Sequence, residues 1–274
     1  NIIWAPLENG IKSISLSANW MWPCGNEGED SRLYKAVNAC SNFAIELGIN
    51  IPTGKDSLSM VQKYDNIKIK SPGTVIISAS GHCQDIRKVV KPVLNKKTGD
   101  IYYIDLSFDK FRLGGSCFAQ TQNKIGDDAP SIKNSEKFRD AFNLVQDLIK
   151  SNKIKSGHDI SSGGIITTLL EMCFSSVSTG MDIDLTEIGC DDNTKLFFSE
   201  NHGVIIQSEL NIGNDFSKIG VDCHKIGKIN NVGLLNIKNF EKNFSFNISE
   251  YRDIWYSTSK DFDKIQTKSN KGVE

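Results

Sequence analysis

The sequence predicts an α+β or α/β fold, in which helices pack on sheets, and three observations support this prediction. A strand, a helix and two more strands follow one another within the first 80 residues. Two later stretches place apolar side chains at helical spacing. Short apolar runs bounded by glycine or polar residues lie around those stretches. Such a mixture of elements is typical of packed layers of helix and sheet.

The early elements are a strand, a helix and two further strands. Apolar and small polar residues alternate over residues 11–20 (IKSISLSANW), which indicates a strand. Residues 31–48 repeat apolar side chains at helical spacing, and Gly48 stands where a helix C′ glycine is expected. The next strand turns at residues 52–54 (PTG), and residues 74–80 (TVIISAS) form a near-continuous apolar strand.

The pattern changes near residue 81, where we predict a domain boundary. The later elements are predicted, in order, as strands at 101–106 and 114–120, helices at 135–151 and 163–176, and strands at 203–210 and 232–238. The chain becomes charged and polar after Trp255 and Tyr256. We therefore expect the last stretch to be a linker or docking tail.

Composition excludes several classes of protein. Of the 274 residues, 39% are hydrophobic and 24% are charged, which is ordinary for a globular protein. The net charge of −1 offers no basic surface for nucleic acid and no cationic face for a membrane. No apolar run reaches 18 residues. The seven cysteines form no C-x-x-C pair. We therefore expect them to act as small buried hydrophobic residues, in a protein of a reducing, cytoplasmic compartment.

A short stretch, NIPTGKDSLSM, has part of the pattern of a phosphate-binding loop. It is not a P-loop, because Ile49 occupies the position of the first glycine and Asp56 follows the lysine. Gly54 would permit a tight turn and the close approach of a phosphate, while Lys55 supplies positive charge and Ser57 a hydroxyl donor. The alternative is an exposed polar turn without a ligand.

A second candidate anion site lies in the stretch GHDISSGGII. Ser161 or Ser162 can cap the following helix, and Gly163 and Gly164 leave its first turn without side chains. Asp159 precedes this turn, where a carboxylate could hold a magnesium ion bound to the anion. The alternative is a plain N-cap followed by a glycine turn.

Three other polar residues are assigned structural roles. His158 has no second histidine at ligand spacing, so it is interpreted as a hydrogen-bonding residue and not as a metal ligand. Glu171 and Glu200 are single acids with no visible partner. The residues alone therefore favour an enzyme that handles nucleotides or phosphates over a scaffold.

Long runs of the sequence are similar to one known family. The runs are LSANWMWPCGNEGEDSRLYKAVNACSNFAIELGINIPTGKDSLSM, LGGSCFAQ, GHDISSGGIITTLLEMCFSS and SEYRDIWYSTS. Together they resemble the large form of phosphoribosylformylglycinamidine synthase, the glutamine-dependent amidotransferase of purine synthesis. The resemblance extends over the whole chain, in order.

The resemblance implies a fragment that covers the second half of the synthetase core. Residues 1–80 resemble a PurM-like (AIR synthetase-like) A-type domain, incomplete at its start, and residues 81–249 resemble the B-type domain. Residues 250–274 would be a tail toward a glutaminase domain. The implied partners are the remaining domains of the same polypeptide. Without them, we expect self-association through residues 1–80.

The resemblance also implies the reaction. The family is a ligase that converts formylglycinamide ribonucleotide, ATP and glutamine into the amidine, ADP, phosphate and glutamate, with ammonia from glutamine as the nucleophile. We expect the fragment alone to be inactive. One alternative is a relative of aminoimidazole ribonucleotide synthetase or selenophosphate synthetase, although the D-G-x-G-T-K run of those enzymes is missing. The other is a non-catalytic nucleotide-binding scaffold.

The first set of implied site residues lies in the Gly-Lys-Asp-Ser stretch. In short members of the family the matching residues read Gly-Asn-x-Ser and contact ATP, magnesium and substrate. Gly54 and Ser57 keep these residue types. Lys55 replaces the asparagine, and its ammonium would contact phosphate directly instead of binding magnesium.

The second set of implied site residues is that of a structural Mg-ADP. The resemblance assigns Asn1 and Asp159 to the magnesium ion and Ser161 to the nucleotide, at the helix start that Gly163 and Gly164 form. Asn1 matches the end of an E-A-x-T-N run in the family. The cofactors implied are therefore Mg²⁺ and ATP or ADP.

Overall fold

The computed structural model describes residues 1–96, 99–126 and 128–267, which form two sheets, a hairpin and seven α-helices. The strands are β1 Ser15–Met21, β2 Asn50–Ser57, β3 Val61–Tyr64, β4 Ile67–Lys70, β5 Thr74–Ser80, β6 Asp100–Asp105, β7 Ser156–Asp159, β8 Gly180–Asp184, β9 Gly203–Ser208, β10 Cys223–Asn230, β11 Leu234–Asn239 and β12 Lys242–Asn247. The helices are α1 Glu29–Leu47, α2 Cys117–Thr121, α3 Ser135–Lys150, α4 Gly164–Cys173, α5 Asn193–Phe198, α6 Gly213–Ser217 and α7 Ile248–Gln266. Among these described residues, no helix combines the length and the apolarity that crossing a bilayer requires.

The smaller sheet has three strands in the order β2-β1-β5. The central strand β1 is parallel to β2 and antiparallel to β5. Ala18, Trp20 and Trp22 form a small core with partly buried residues of α1, among them Leu33. No residue of β5 is buried, and Ile76 at its centre is 52% exposed. The smaller sheet therefore leaves β5 as an open apolar edge strand.

The larger sheet has seven strands in the order β12-β11-β8-β10-β6-β9-β7. One face of its centre packs on α3, where Val145 and Leu148 are fully buried. The other face packs on α4, where Leu169 and Met172 are fully buried. Because helices cover both faces of β9, all of its residues are buried, and its continuous apolar run is the expected consequence.

The N-terminal segment, residues 1–14, belongs to the core of the larger sheet. Trp4, Leu7 and Ile11 are buried there, in the same cluster as the apolar residues of α3. The Leu7 backbone N–H donates to Oε1 of the buried Gln146 at 2.7 Å. The two parts of the chain on either side of residue 81 therefore share one hydrophobic core.

Several elements predicted from spacing are confirmed. Helix α1 ends at Gly48, whose φ of 72° is left-handed and whose N–H bonds back to the carbonyls of Ala44 and Ile45. Helix α3 begins after Asn134, whose side chain accepts a hydrogen bond from the Lys137 N–H. The predicted strands at 74–80, 101–106, 203–210 and 232–238 correspond to β5, β6, β9 and β11.

Three predicted elements are wrong or shifted. The predicted turn at residues 52–54 lies inside the continuous strand β2, because long-range pairing with β1 keeps this segment extended. The strand predicted at 114–120 is a loop followed by α2, since Ser116 Oγ accepts from the Ala119 N–H and starts a helix. Strand β1 begins only at Ser15, after a short 3-10 helix over Gly10–Ser13.

The C-terminal stretch and the cysteines also differ from expectation. The predicted tail forms α7, which starts at the fully buried Ile248, and residues 268–274 of that tail lie outside the described residues. All seven cysteines are free, but only Cys173 is buried and Cys117 is exposed. The expectation of buried small hydrophobic residues is therefore wrong for most of them.

Candidate functional site

The first predicted site lies on strand β2, at the edge of the smaller sheet. Lys55 Nζ donates to Ser57 Oγ at 2.8 Å, so the two predicted ligand-binding side chains meet on one face of the strand. Gly54 pairs with Ala18 of β1, and a Cβ at Gly54 would overlap the Ala18 carbonyl oxygen. The glycine is therefore required by strand pairing, and the turn invoked to explain it from the sequence does not exist.

The second predicted site is centred on Asp159, at the end of the edge strand β7. Trp4 Nε1 donates to Asp159 Oδ1 at 2.9 Å, and the Asn1 amino nitrogen lies 3.9 Å from Oδ2. The Asn1 side-chain amide also faces this carboxylate. Gly157 allows this arrangement, because a Cβ there would overlap the Trp4 ring. The structure thus brings together Asn1 and Asp159, which are 158 positions apart in the sequence.

His158 lies between two carboxylates. Its Nε2 is 2.9 Å from Glu171 Oε2, and its Nδ1 is 3.7 Å from Asp159 Oδ1. Burial opposes protonation of the ring, but the hydrogen bonds and charges of Asp159 and Glu171 outweigh it and raise the pKa of His158 to about 9. Burial raises the pKa of Asp159. His158, Trp4 and the Asn1 amino group lower it by more, so the pKa lies well below the usual range.

These pKa shifts predict a pH dependence of stability. His158 has a raised pKa in the folded state, so its contribution is complete below pH 6.5 and is lost as the pH rises toward about 9. One pKa unit corresponds to about 1.4 kcal/mol, and allowing for partial exposure we expect a loss on the order of 2 kcal/mol over this window. Urea unfolding between pH 6 and pH 8.5 measures it.

The control for this pH dependence is His158→Gln, which should lack the loss of stability that the wild type shows as the pH rises through this window. Asp159 stays ionised throughout, because its pKa is lowered. Burial lowers the pKa of His202, and the pH dependence that this causes is common to both proteins, so the difference between the two slopes reports His158. Equal slopes in the two proteins would show that His158 does not carry the proton.

The predicted anion site at the start of α4 is already occupied by a carboxylate of the chain. Glu200 Oε1 accepts from the Gly163 N–H at 2.9 Å and from the Cys117 N–H at 2.8 Å. The helix is capped by Gly163 itself, which has a left-handed φ of 87°, and no side chain caps it. The predicted capping role of Ser161 or Ser162 is therefore wrong, and Ser161 is exposed.

The Asp159 site fits a magnesium ion only in part. Within the described ranges, no group of three or more His, Cys, Asp or Glu side chains could hold a metal ion. Asp159 offers a carboxylate, whereas the Asn1 amide presents its NH2 group to that carboxylate and would have to turn to offer its oxygen to an ion. Mg²⁺ is commonly bound by one or two carboxylates together with substrate phosphates and water. The residues therefore suit a magnesium ion whose remaining ligands come from a nucleotide.

An apolar cavity of about 290 Å³ adjoins Asp159. It lies between α1, α3 and β9, and its lining includes Phe43, Phe138 and Phe142. A larger cavity of about 640 Å³ lies on the open face of the larger sheet. Its charges pair with one another, as in the contact of Lys225 with Asp100 at 2.8 Å, so we interpret that face as solvated. The smaller cavity is the one next to the predicted site.

No hydrogen bond or ion pair within the described part of the chain joins Lys55 or Ser57 to Asp159. The two predicted sites are thus separate clusters. Sequence analysis did not single out Trp4 and found no partner for Glu171 or Glu200. In the structure these three residues contact Asp159, His158 and Gly163 respectively. Each of these contacts joins residues that are at least 13 positions apart, and neither spacing nor composition carries a signal for them.

Comparison with known protein families and sequences gives consistent matches. Residues 1–82 match the FGAR-AT PurM_N-like domain, and residues 110–238 match the C-terminal domain of AIR synthase related proteins. The Probable phosphoribosylformylglycinamidine synthase, chloroplastic/mitochondrial, of Arabidopsis thaliana is 38% identical over 274 residues, covering 97% of this chain and 19% of that protein. The Probable phosphoribosylformylglycinamidine synthase of Caenorhabditis elegans is 38% identical over 245 residues, covering 83% and 18%.

Comparison with solved structures gives the same fold. The T. maritima PurL complexed with FGAR has a TM-score of 0.66 at 9% identity, covering 92% of this chain and 40% of that one. At this identity the likeness concerns the fold alone, which is the AIR synthase-like, PurM-type fold of mixed α and β elements. The chain spans about a fifth of the length of the curated relatives it matches.

Proposed function

We propose, since this chain belongs to the phosphoribosylformylglycinamidine synthase family, that it forms the second half of the synthetase core of such an enzyme. The observation that carries the proposal is 38% identity over 97% of the chain to the Arabidopsis thaliana relative. In this proposal residues 1–80 are the A-type domain, residues 81–249 the B-type domain, and α7 leads toward a glutaminase domain. Identity over nearly the whole chain favours this family over aminoimidazole ribonucleotide synthetase and selenophosphate synthetase.

The proposed reaction is that of an ATP-dependent ligase in purine biosynthesis. Formylglycinamide ribonucleotide would be activated by ATP, and ammonia released from glutamine would displace phosphate to form the amidine. The other domains of the polypeptide would supply the first half of the core and the glutaminase. We place the enzyme in the cytoplasm, because all seven cysteines are free, as in reducing compartments.

The Lys55–Ser57 pair is proposed to contact the substrates. Ser57 Oγ accepts the hydrogen bond from Lys55 Nζ, so the hydroxyl hydrogen of Ser57 remains available to a substrate oxygen. The Lys55 ammonium has further N–H groups that can reach a phosphate directly. Gly54 keeps the backbone of β2 close to β1, which holds both side chains on one face of the strand.

The Asp159 site is proposed to hold a structural Mg-ADP. A bound magnesium ion would neutralise the phosphate charge there, with Asp159 and Asn1 as its protein ligands. The N–H groups of Gly163 and Gly164 already have partners within the chain, Glu200 and the Ser161 carbonyl. The exposed Ser161 hydroxyl is therefore the first candidate for a phosphate contact, and Gly163 would contact phosphate only after Glu200 moves.

The proposed reaction is tested by Ser57→Ala in a complete enzyme that contains this chain. A hydrogen bond to a charged group contributes roughly 1.5–3 kcal/mol, so kcat/KM should fall about ten- to a hundredfold. The assay is phosphate release with formylglycinamide ribonucleotide, ATP, magnesium and ammonium. Ser59→Ala, at an exposed position two residues further along the chain, is the control and should leave kcat/KM unchanged. The isolated chain should show no turnover, because catalysis needs groups from both halves of the core.

The open edge of the smaller sheet is proposed to pair with the other half of the core or, without it, with a second copy. Strand β5 (TVIISAS) carries no proline and no charge that would discourage edge pairing. Light scattering of the isolated chain should therefore show dimers or larger species, and Ile76→Lys should restore the monomer. Val232→Lys, at a 67% exposed apolar position outside the smaller sheet, should not. A wild-type monomer at high concentration would contradict this.

A further inference from the structure

A line of hydrogen-bonded and charged side chains connects the Asp159 site with the C-terminal helix. Trp255 Nε1, on α7, donates to Glu171 Oε1 at 3.1 Å. The other oxygen of the same carboxylate, Glu171 Oε2, lies 2.9 Å from His158 Nε2. On its far side the His158 ring faces Asp159, with Nδ1 at 3.7 Å from Oδ1. Each oxygen of Glu171 therefore contacts a different element of the fold.

Without these two partners, the Glu171 carboxylate would destabilise the folded protein at its position. It lies in the last turn of α4, where the helix dipole disfavours a negative charge. Its side chain is 28% exposed, so water screens the charge only in part. His158 and Trp255 supply N–H donors that offset this cost. A carboxylate at this place is therefore better explained by its two partners than by the helix that carries it.

Trp255 fixes α7 to the end of α4. Its ring packs against Phe174, just after α4, with centroids 5.7 Å apart, and against the neighbouring Tyr256. About half of the Trp255 side chain is nevertheless exposed. The hydrogen bond from the indole N–H to Glu171 therefore lies at a partly exposed surface, and it forms only while α7 packs against the end of α4.

We propose that Glu171 is a positioning residue that makes the orientation of His158, and through it of the Asp159 carboxylate, depend on the docking of helix α7 by Trp255. This inference rests on the proposed function in one respect, namely that Asp159 holds the magnesium of a bound nucleotide. It assigns a role to α7 beyond that of a connector, because the helix completes the nucleotide site from a distance. Loosening α7 weakens nucleotide binding, and a bound nucleotide strengthens the attachment of α7.

The test uses four variants of the 274-residue chain and two measurements. Trp255→Phe keeps an aromatic ring against Phe174 but removes the N–H donor. Glu171→Gln keeps one oxygen that can accept from Trp255, but it removes the negative charge and replaces the oxygen that His158 contacts by an NH2 group. The double variant combines the two. Tyr256→Phe is the matched control, because it keeps the ring that packs on Trp255 and removes only a hydroxyl that, among the described residues, has no hydrogen bond to Glu171.

The first measurement is the affinity for MgADP by calorimetry. Trp255→Phe should lower it roughly three- to tenfold, in the range of couplings carried by packed side-chain networks. The double variant should bind no more weakly than Glu171→Gln alone, because Trp255 acts only through Glu171. Tyr256→Phe should bind as the wild type does. Unchanged affinity in Trp255→Phe, or losses that add in the double variant, would overturn the proposal.

The second measurement is amide hydrogen exchange of residues 157–163 without nucleotide. Exchange there should rise several-fold in Trp255→Phe and Glu171→Gln, and stay at the wild-type rate in Tyr256→Phe. If the wild-type chain binds no MgADP, the proposed nucleotide site is wrong for this chain, and the exchange result alone decides the coupling. Exchange at residues 157–163 that is the same in all variants would then refute it.

Discussion

Replacing Trp4 by alanine is expected to lower the free energy of unfolding by about 3–5 kcal/mol, the usual cost of truncating a buried aromatic side chain. Trp4 is buried, and its ring packs so closely on Gly157 that no side chain could be accommodated at position 157. Its backbone carbonyl also accepts a hydrogen bond from the Val90 N–H. The substitution would leave a cavity and an Asp159 carboxylate without its 2.9 Å partner. Urea unfolding of the isolated chain measures the change.

The variant Trp4→Phe separates packing from hydrogen bonding. Phenylalanine keeps most of the ring volume and removes only the N–H that Asp159 accepts. We expect it to cost about 1–2 kcal/mol, the range for losing one hydrogen bond to a charged group that stays partly solvated. A loss below 1 kcal/mol in Trp4→Ala would mean that the N-terminal segment does not pack against the larger sheet as described.

Replacing Gly164 by alanine should cost about 3 kcal/mol, from two sources that add. The residue has a left-handed φ of 74°, and an L-residue with a side chain pays roughly 1–2 kcal/mol there. The new Cβ would also lie 2.8 Å from the Ser199 carbonyl oxygen and even closer to that of Phe197. Relieving such overpacking costs typically about 1–3 kcal/mol, because backbone must move.

The matched control is Gly189→Ala. Gly189 has a φ of 77°, but apart from the glycine and its two chain neighbours no heavy atom of the described residues lies within 4 Å of the position of its Cβ. It should therefore show only the conformational cost of about 1–2 kcal/mol. Equal losses in the two variants would show that the approach of the α5 end to Gly164 is not as close as described. A larger loss at Gly164 supports packing as the reason for this glycine.

Local sequence patterns determined a large part of the fold. Helices α1 and α3 follow from apolar spacing together with a C′ glycine and a capping asparagine, which act within a few residues. Strand β9 follows from its continuous apolar run. The family follows from long runs that match relatives at 38% identity. The sequence also named Asn1 and Asp159 as a pair, although only the family resemblance connected them.

Features that depend on residues far apart in the sequence were decided only by the tertiary structure. Gly54 lies in a strand because β1 pairs with it. Glu200 fills the predicted anion site from 37 positions away, and Trp255 reaches Glu171 from 84 positions away. Periodicity records which face of an element is apolar, but not which element meets it. Which distant residues meet is determined by the packing of the whole chain, so no local sequence pattern predicts these contacts.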